Sequence, residues 1–214
     1  NRGTALLVRT TVTDGNAQSK IRQGVTTELA GNCGSSAAPL AGLGVAERVE
    51  EWKRDGIAAD WTDVGSYLGR VERAGLSVNH ALLASHGTLR SNAVGDVDRP
   101  LRPEEFGAVA RALEEALDQG AFGLSTGLEY VPGRFTPTDE IVALARLVAR
   151  RGGLYASHIR NEEARLLEAV AEAIEVGRQS GVRVEIAHLK AAGDSNWPKQ
   201  GAALDLLESA RRDG

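Results

Sequence analysis

Gly153-Leu154-Tyr155-Ala156-Ser157-His158-Ile159-Arg160 and Val182-Arg183-Val184-Glu185-Ile186-Ala187-His188-Leu189-Lys190 decide the fold. Each is a short strand-like run closed by a His. Between them, residues 162–180 repeat their apolar positions at helical spacing. The order is strand, helix, strand, with an imidazole at the C-terminal end of each strand. In a parallel α/β barrel those ends converge on one site. Two imidazoles delivered there by successive units read as metal ligands.

Working outward, the same alternation extends over the chain. Strands are expected at 24–30, 78–84, 121–125, 153–157 and 182–187, and helices at 46–54, 61–73, 103–119, 138–151, 162–180 and 199–212. Runs this short also occur inside buried helices, and their length and flanking Gly decide for strand. Arg102-Pro103-Glu104-Glu105 places Pro and acids in a first turn, and Thr138-Asp139-Glu140 does the same after Pro137. Gly120, Gly152 and Gly181 fall just past helix ends, where a left-handed residue is needed. Alternating strands and helices predict an α/β fold with a parallel sheet. No Gly-x-Gly-x-x-Gly opens a helix, which weighs against a dinucleotide-binding sheet. A closed barrel fits the same alternation, but five strands are too few to close an eight-stranded one, and the chain reads as a piece of something longer.

Composition narrows the partners. The 214 residues are 42% hydrophobic, enough for a large core. The net charge of -4 comes from mixed charges, without the clustered basic face that a nucleic-acid partner requires. No apolar run approaches the length of a membrane span. A single Cys forbids an internal disulfide and fits a reducing, cytoplasmic setting.

That Cys lies in Gly31-Asn32-Cys33-Gly34, directly after the first strand. Flanking Gly lets the backbone turn sharply and a ligand approach closely. A thiolate there binds zinc well, and a small half-buried thiol in a tight turn is the plainer alternative. His158 and His188, taken singly, read better as structural capping or core histidines than as ligands; their paired placement favours ligation. His86 in Ser85-His86-Gly87-Thr88 could be a fourth ligand but better suits a structural or outer-sphere role in a satisfied turn, and His80 a packed or edge position. Lys190, two positions past His188, shares its face on an extended segment and points either into the site or to solvent. Tyr130, in the Gly127-Leu128-Glu129-Tyr130-Val131-Pro132-Gly133 loop, either hydrogen-bonds substrate or covers the barrel mouth. Asp194 reads as a turn residue, and Trp52, Trp61 and Trp197 as packing anchors. The charges from Glu162 to Arg178 read as a solvated helix face.

Six segments in order resemble the N-acyl-D-amino-acid deacylase (D-aminoacylase) family of the amidohydrolase superfamily. They are Ile21-Arg22-Gln23-Gly24-Val25-Thr26-Thr27-Glu28, Gly31-Asn32-Cys33-Gly34, His86-Gly87-Thr88-Leu89-Arg90, Gly123-Leu124-Ser125-Thr126-Gly127-Leu128, Ser157-His158-Ile159-Arg160 and His188-Leu189-Lys190. The resemblance implies a metal-dependent (β/α)8 TIM barrel joined to a small β-domain, with residues 1–214 as the central part of the barrel, about strands 2 to 6 with their helices. It implies zinc (Zn2+) on Cys33, His158 and His188, with Tyr130 and Lys190 contacting an N-acyl-D-amino acid. The implied reaction is hydrolysis of the amide to a D-amino acid and a carboxylate.

Two parts of that family pattern fall elsewhere. Its His-x-His motif is expected at or just before residue 1, and its catalytic Asp beyond residue 214, so no general base is assigned. The small β-domain and barrel ends are expected outside the segment, the segment alone is expected to be inactive or poorly active, and open barrel edges are expected to favour a homo-oligomer. The competing readings are a dihydroorotase-like or other amidohydrolase and a non-catalytic metal-binding or assembly protein. The Cys-containing turn argues against the first, since related hydrolases bridge their metals with a carboxylated Lys.

Overall fold

The computed structural model describes residues 15–214. The position expected for the His-x-His motif lies outside them. Five strands, β1 (Thr27–Ala30), β2 (Asn79–Ser85), β3 (Gly123–Gly127), β4 (Leu154–His158) and β5 (Arg183–Ile186), form one parallel sheet in sequential order. Among the described residues the helices are α1 (Gln18–Ile21), α2 (Val45–Arg54), α3 (Val64–Ala74), α4 (His86–Val94), α5 (Pro103–Asp118), α6 (Thr138–Arg150), α7 (Leu166–Ser180) and α8 (Lys199–Asp213).

Local chemistry explains the helix starts. The Asp63 carboxylate accepts from Ser66 N–H at 2.7 Å and caps α3. At α5, Glu105 accepts from Arg102 N–H at 2.8 Å, while Arg99 holds the same carboxylate through two bonds of 2.7 and 2.8 Å. Gly181, with φ 74°, ends α7 in the left-handed conformation expected of it.

The helices bury their apolar stripes against one face of the sheet. Val109 and Leu113 of α5, Ile141, Leu144 and Val148 of α6 and Val176 of α7 share a core with Leu82, Ala84, Leu124 and Tyr155. Side chains alternate along a strand, so the residues between these face the opposite, inner side. Ser85 and Ser125 lie there, 2.9 Å apart, and both donate to the Gly31 carbonyl. With Tyr155 on the helix side, His158 faces inward with Ala156.

The sheet is curled. Four strand spacings of about 4.8 Å would hold β1 and β5 roughly 19 Å apart in a flat sheet. Cys33, just past β1, nevertheless approaches His188, just past β5, to 3.3 Å. Five parallel strands curling in this way, with helices packed on one face, form part of a (β/α)8 barrel.

The expected strands are present with ends shifted by one to three residues, and the structure departs from expectation in several places. An unexpected helix, α4, begins at His86, where a satisfied turn was expected; the His86 ring is fully buried and neither nitrogen has a hydrogen-bond partner. The helix expected from 162 starts at Leu166, so Glu162 precedes it and is buried rather than part of a solvated face. Trp52 and Trp61 do pack, their rings 5.7 Å apart, whereas Trp197 is 64% exposed rather than buried as a packing anchor. Lys190 does not sit on an extended segment, since β5 ends at Ile186. His80 is packed, as expected, with Nδ1 2.7 Å from Glu28 Oε1; burial, reinforced by the Lys20 ammonium, pushes its imidazole down to about 4.

Candidate metal centre

Three segments that leave the C-terminal ends of strands build the site. The first is the turn after β1. Cys33 has φ 56°, a left-handed conformation uncommon outside Gly. The turn lies directly on the end of β3: a Cβ at Gly34 would meet Gly127 N at 2.6 Å, and one at Gly127 would meet the Cys33 carbonyl oxygen at 2.3 Å. The glycines are therefore what allow the Cys33 turn to pack against the end of β3.

The second segment is β4 itself, whose last residue is His158. The third follows β5. His188 lies two residues past the strand, with φ 41°. Backbone held in this region costs roughly 1–3 kcal/mol and persists only where the surroundings enforce it. Two of the three candidate donors carry such strain.

The donor atoms converge. His158 Nδ1 lies 2.8 Å from His188 Nε2, which lies 3.3 Å from Cys33 Sγ. One donor atom from each residue falls within 4.8 Å of the others. The two rings meet edge-on, with centroids 4.4 Å apart. Burial pushes the Cys33 thiol up, the Glu162 carboxylate adds to that shift and the Lys190 ammonium opposes it.

Lys190 and Tyr130 reach the same place. Lys190 Nζ is 3.1 Å from His188 Nδ1 and 2.5 Å from Glu162 Oε2. The left-handed turn at His188, not a strand face, brings the ammonium there. The Tyr130 ring packs on His158 with centroids 4.6 Å apart, and burial and the Glu129 carboxylate raise its phenol. Cys33, Tyr130, His158, His188 and Lys190 line one cleft of about 1260 Å³, together with Arg48 of α2.

Two carboxylates here were missed as site residues. Glu129 Oε2 lies 3.0 Å from His158 Nε2. Glu162 Oε1, buried and without a hydrogen-bond partner, lies 3.1 Å from His188 Nδ1. With His158 they form a second group of close potential donors. Their sequence signals were slight: Glu129 precedes Tyr130, and Glu162 follows His158 by four positions at an apparent helix start. His86 is absent from the cluster, its Nε2 instead 3.6 Å from Glu140 Oε1. Asp194 sits in a 3-10 turn, as expected.

No protein-family model matches the chain. A D-aminoacylase from Alcaligenes xylosoxydans xylosoxydans is 36% identical over 191 residues, which cover 89% of this chain and 39% of that protein. A crystal structure of D-aminoacylase, described as defining a novel subset of amidohydrolases, superposes with a TM-score of 0.87 at 32% identity, over 96% of this chain and 43% of that one. Over about nine tenths of its length the chain matches the D-aminoacylase family of amidohydrolases. Another family structure, N-acyl-D-glutamate deacylase from Bordetella bronchiseptica complexed with zinc and a phosphonate mimic of the tetrahedral intermediate, superposes with a TM-score of 0.84 at 33% identity, over 96% of this chain and 43% of that one. The chain spans about two fifths of the length of the curated D-aminoacylase-family relatives it matches. Among the described residues no helix is long and apolar enough to cross a membrane.

Proposed function

We propose that the whole protein hydrolyses the amide bond of N-acyl-D-amino acids with zinc, and that Cys33 Sγ, His158 Nδ1 and His188 Nε2 hold the ion. The observation that carries this reading is the convergence of a thiol and two imidazoles from three separate strand ends. The donor set fits the group. One soft sulfur and two imidazole nitrogens suit zinc, and three protein ligands leave a coordination position open, as in catalytic sites. The raised Cys33 thiol then gives up its proton when the metal binds. When bound, zinc supplies Lewis-acid polarisation of an amide carbonyl.

The remaining roles fall to the chain's own residues. Lys190 offers a positive charge beside the donors for a substrate carboxylate. Glu162 anchors that ammonium at 2.5 Å, so the cation is held in place before substrate arrives. Tyr130 offers a phenolic hydroxyl on the same wall of the cleft and keeps its proton, its ionisation being raised by burial. No residue of this chain is given the role of general base. Residues 1–214 are read as the central part of the catalytic barrel, and its open strand edges as surfaces for self-association.

The test is metal analysis of the protein and its Cys33→Ala and His188→Ala variants, with hydrolysis of N-acetyl-D-amino acids followed in the full-length protein. The expected outcome is zinc in the parent and its loss from both variants, together with turnover. Unchanged zinc content in both variants would remove the site.

A further inference from the structure

The two ring nitrogens of His158 have different neighbours. Nδ1 turns towards His188 Nε2, 2.8 Å away inside the donor cluster. Nε2 meets Glu129 Oε2 at 3.0 Å. An ionised carboxylate only accepts hydrogen bonds, so this contact places a proton on Nε2. A neutral imidazole protonated there carries its lone pair on Nδ1. Glu162 Oε1 is 3.8 Å from the same Nε2, beyond hydrogen-bond reach.

The segment carrying Glu129 is tied to the ring it addresses. Leu128 N–H donates to the His158 carbonyl at 3.0 Å, and the adjacent Tyr130 packs its ring on the imidazole. Glu129 and Tyr130 therefore grip His158 from its edge and its face, from a loop that begins where β3 ends. The Glu129 side chain is 36% exposed, so its removal leaves no cavity in the core.

We infer that Glu129 is a positioning residue of this centre: it holds the His158 proton on Nε2 and keeps Nδ1 free and aimed to ligate a metal. The inference rests on the metal-site reading above. It extends that reading from the ligands to the group that orients one of them. Partners of this kind typically change metal affinity 10–100-fold when removed.

The experiment measures zinc affinity by chelator competition in the full-length protein and in its Glu129→Ala, Glu129→Gln and Cys33→Ala variants. Cobalt(II) substitution then reports thiolate ligation through its charge-transfer absorption, and circular dichroism of the metal-free variants checks the fold. Glu129→Ala is expected to weaken zinc about 10–100-fold with the thiolate–cobalt band retained. Glu129→Gln is expected to recover most of that loss, because its amide oxygen still accepts from Nε2–H. If Cys33→Ala abolishes binding while Glu129→Ala stays within about twofold of the parent, the positioning role is overturned and the metal site stands. If Cys33→Ala binds zinc as tightly as the parent, the site reading fails and the inference fails with it.

Discussion

Replacing Arg90 by Met tests whether the interior behind the cleft is held by charge. Arg90 is fully buried on α4. Its guanidinium donates to Glu140 Oε1 at 3.2 Å, to the Val97 carbonyl at 3.5 Å and to the Arg99 carbonyl. Glu140, in the first turn of α6, also accepts from Leu101 N–H at 3.3 Å. One ion pair thus joins α4, α6 and the connection leading into α5. Met fills much of the space but leaves a buried carboxylate without its cation. Breaking a buried pair in this way costs about 3–5 kcal/mol, which for a chain of this size lowers the melting temperature by roughly 6–20 °C. Removing both charges, as in Arg90→Met with Glu140→Leu, takes away the uncompensated anion and should restore part of that loss. The restoration is incomplete because Leu101 N–H and the two carbonyls lose their partners. Urea unfolding of the parent, both single variants and the double variant gives the coupling directly. An Arg90→Met variant within about 1 kcal/mol of the parent, or strictly additive single effects, would refute the argument.

Gly34→Ala should damage both the fold and the donor cluster, since the new Cβ would meet Gly127 N at 2.6 Å in a residue with φ 76°. A stability loss of about 1–3 kcal/mol with weakened zinc binding is expected; calorimetry and chelator competition read the two effects. The Arg99 guanidinium, reinforced by Arg102 N–H, holds the Glu105 carboxyl down to about 2 from its ordinary 4.5. A depressed carboxyl contributes stability that is present above 4.5 and lost as pH falls towards 2. Side-chain carboxyl titration by NMR should therefore find Glu105 among the last acids to protonate, and Arg99→Ala should return it towards the ordinary range.

Much of the scaffold was legible because short strand-like runs alternate with helical periods, and Gly and Pro punctuate them. Helix α4 was not. His86, Gly87, Thr88, Leu89 and Arg90 are all buried, so the helix has no polar face in its first half and no stripe to recognise. Its buried Arg90 is partnered by Glu140 from α6, a contact that primary structure does not reveal. The site divides along the same line. Cys33, His158 and His188 stood out because soft donors at strand ends are scarce in a chain with one Cys and four His. Glu129 and Glu162 did not, because an acid in a loop or near a helix start is the commonest of arrangements and usually faces water. What distinguishes Glu162 is its position before α7, where the chain has not yet turned helical and the carboxylate is folded back under His188 and Lys190. Lys190 arrives by a route that strand periodicity does not describe. With His188 in the left-handed region, the two side chains meet at 3.1 Å after the strand has ended. Donor identity is thus written in residue type, while the outer carboxylates and the ammonium held by Glu162 are written in loop conformation. That division locates the harder part of this centre in the turns: a substitution that preserves every donor but releases the backbone at Gly34 or His188 should cost as much metal affinity as removing an outer carboxylate.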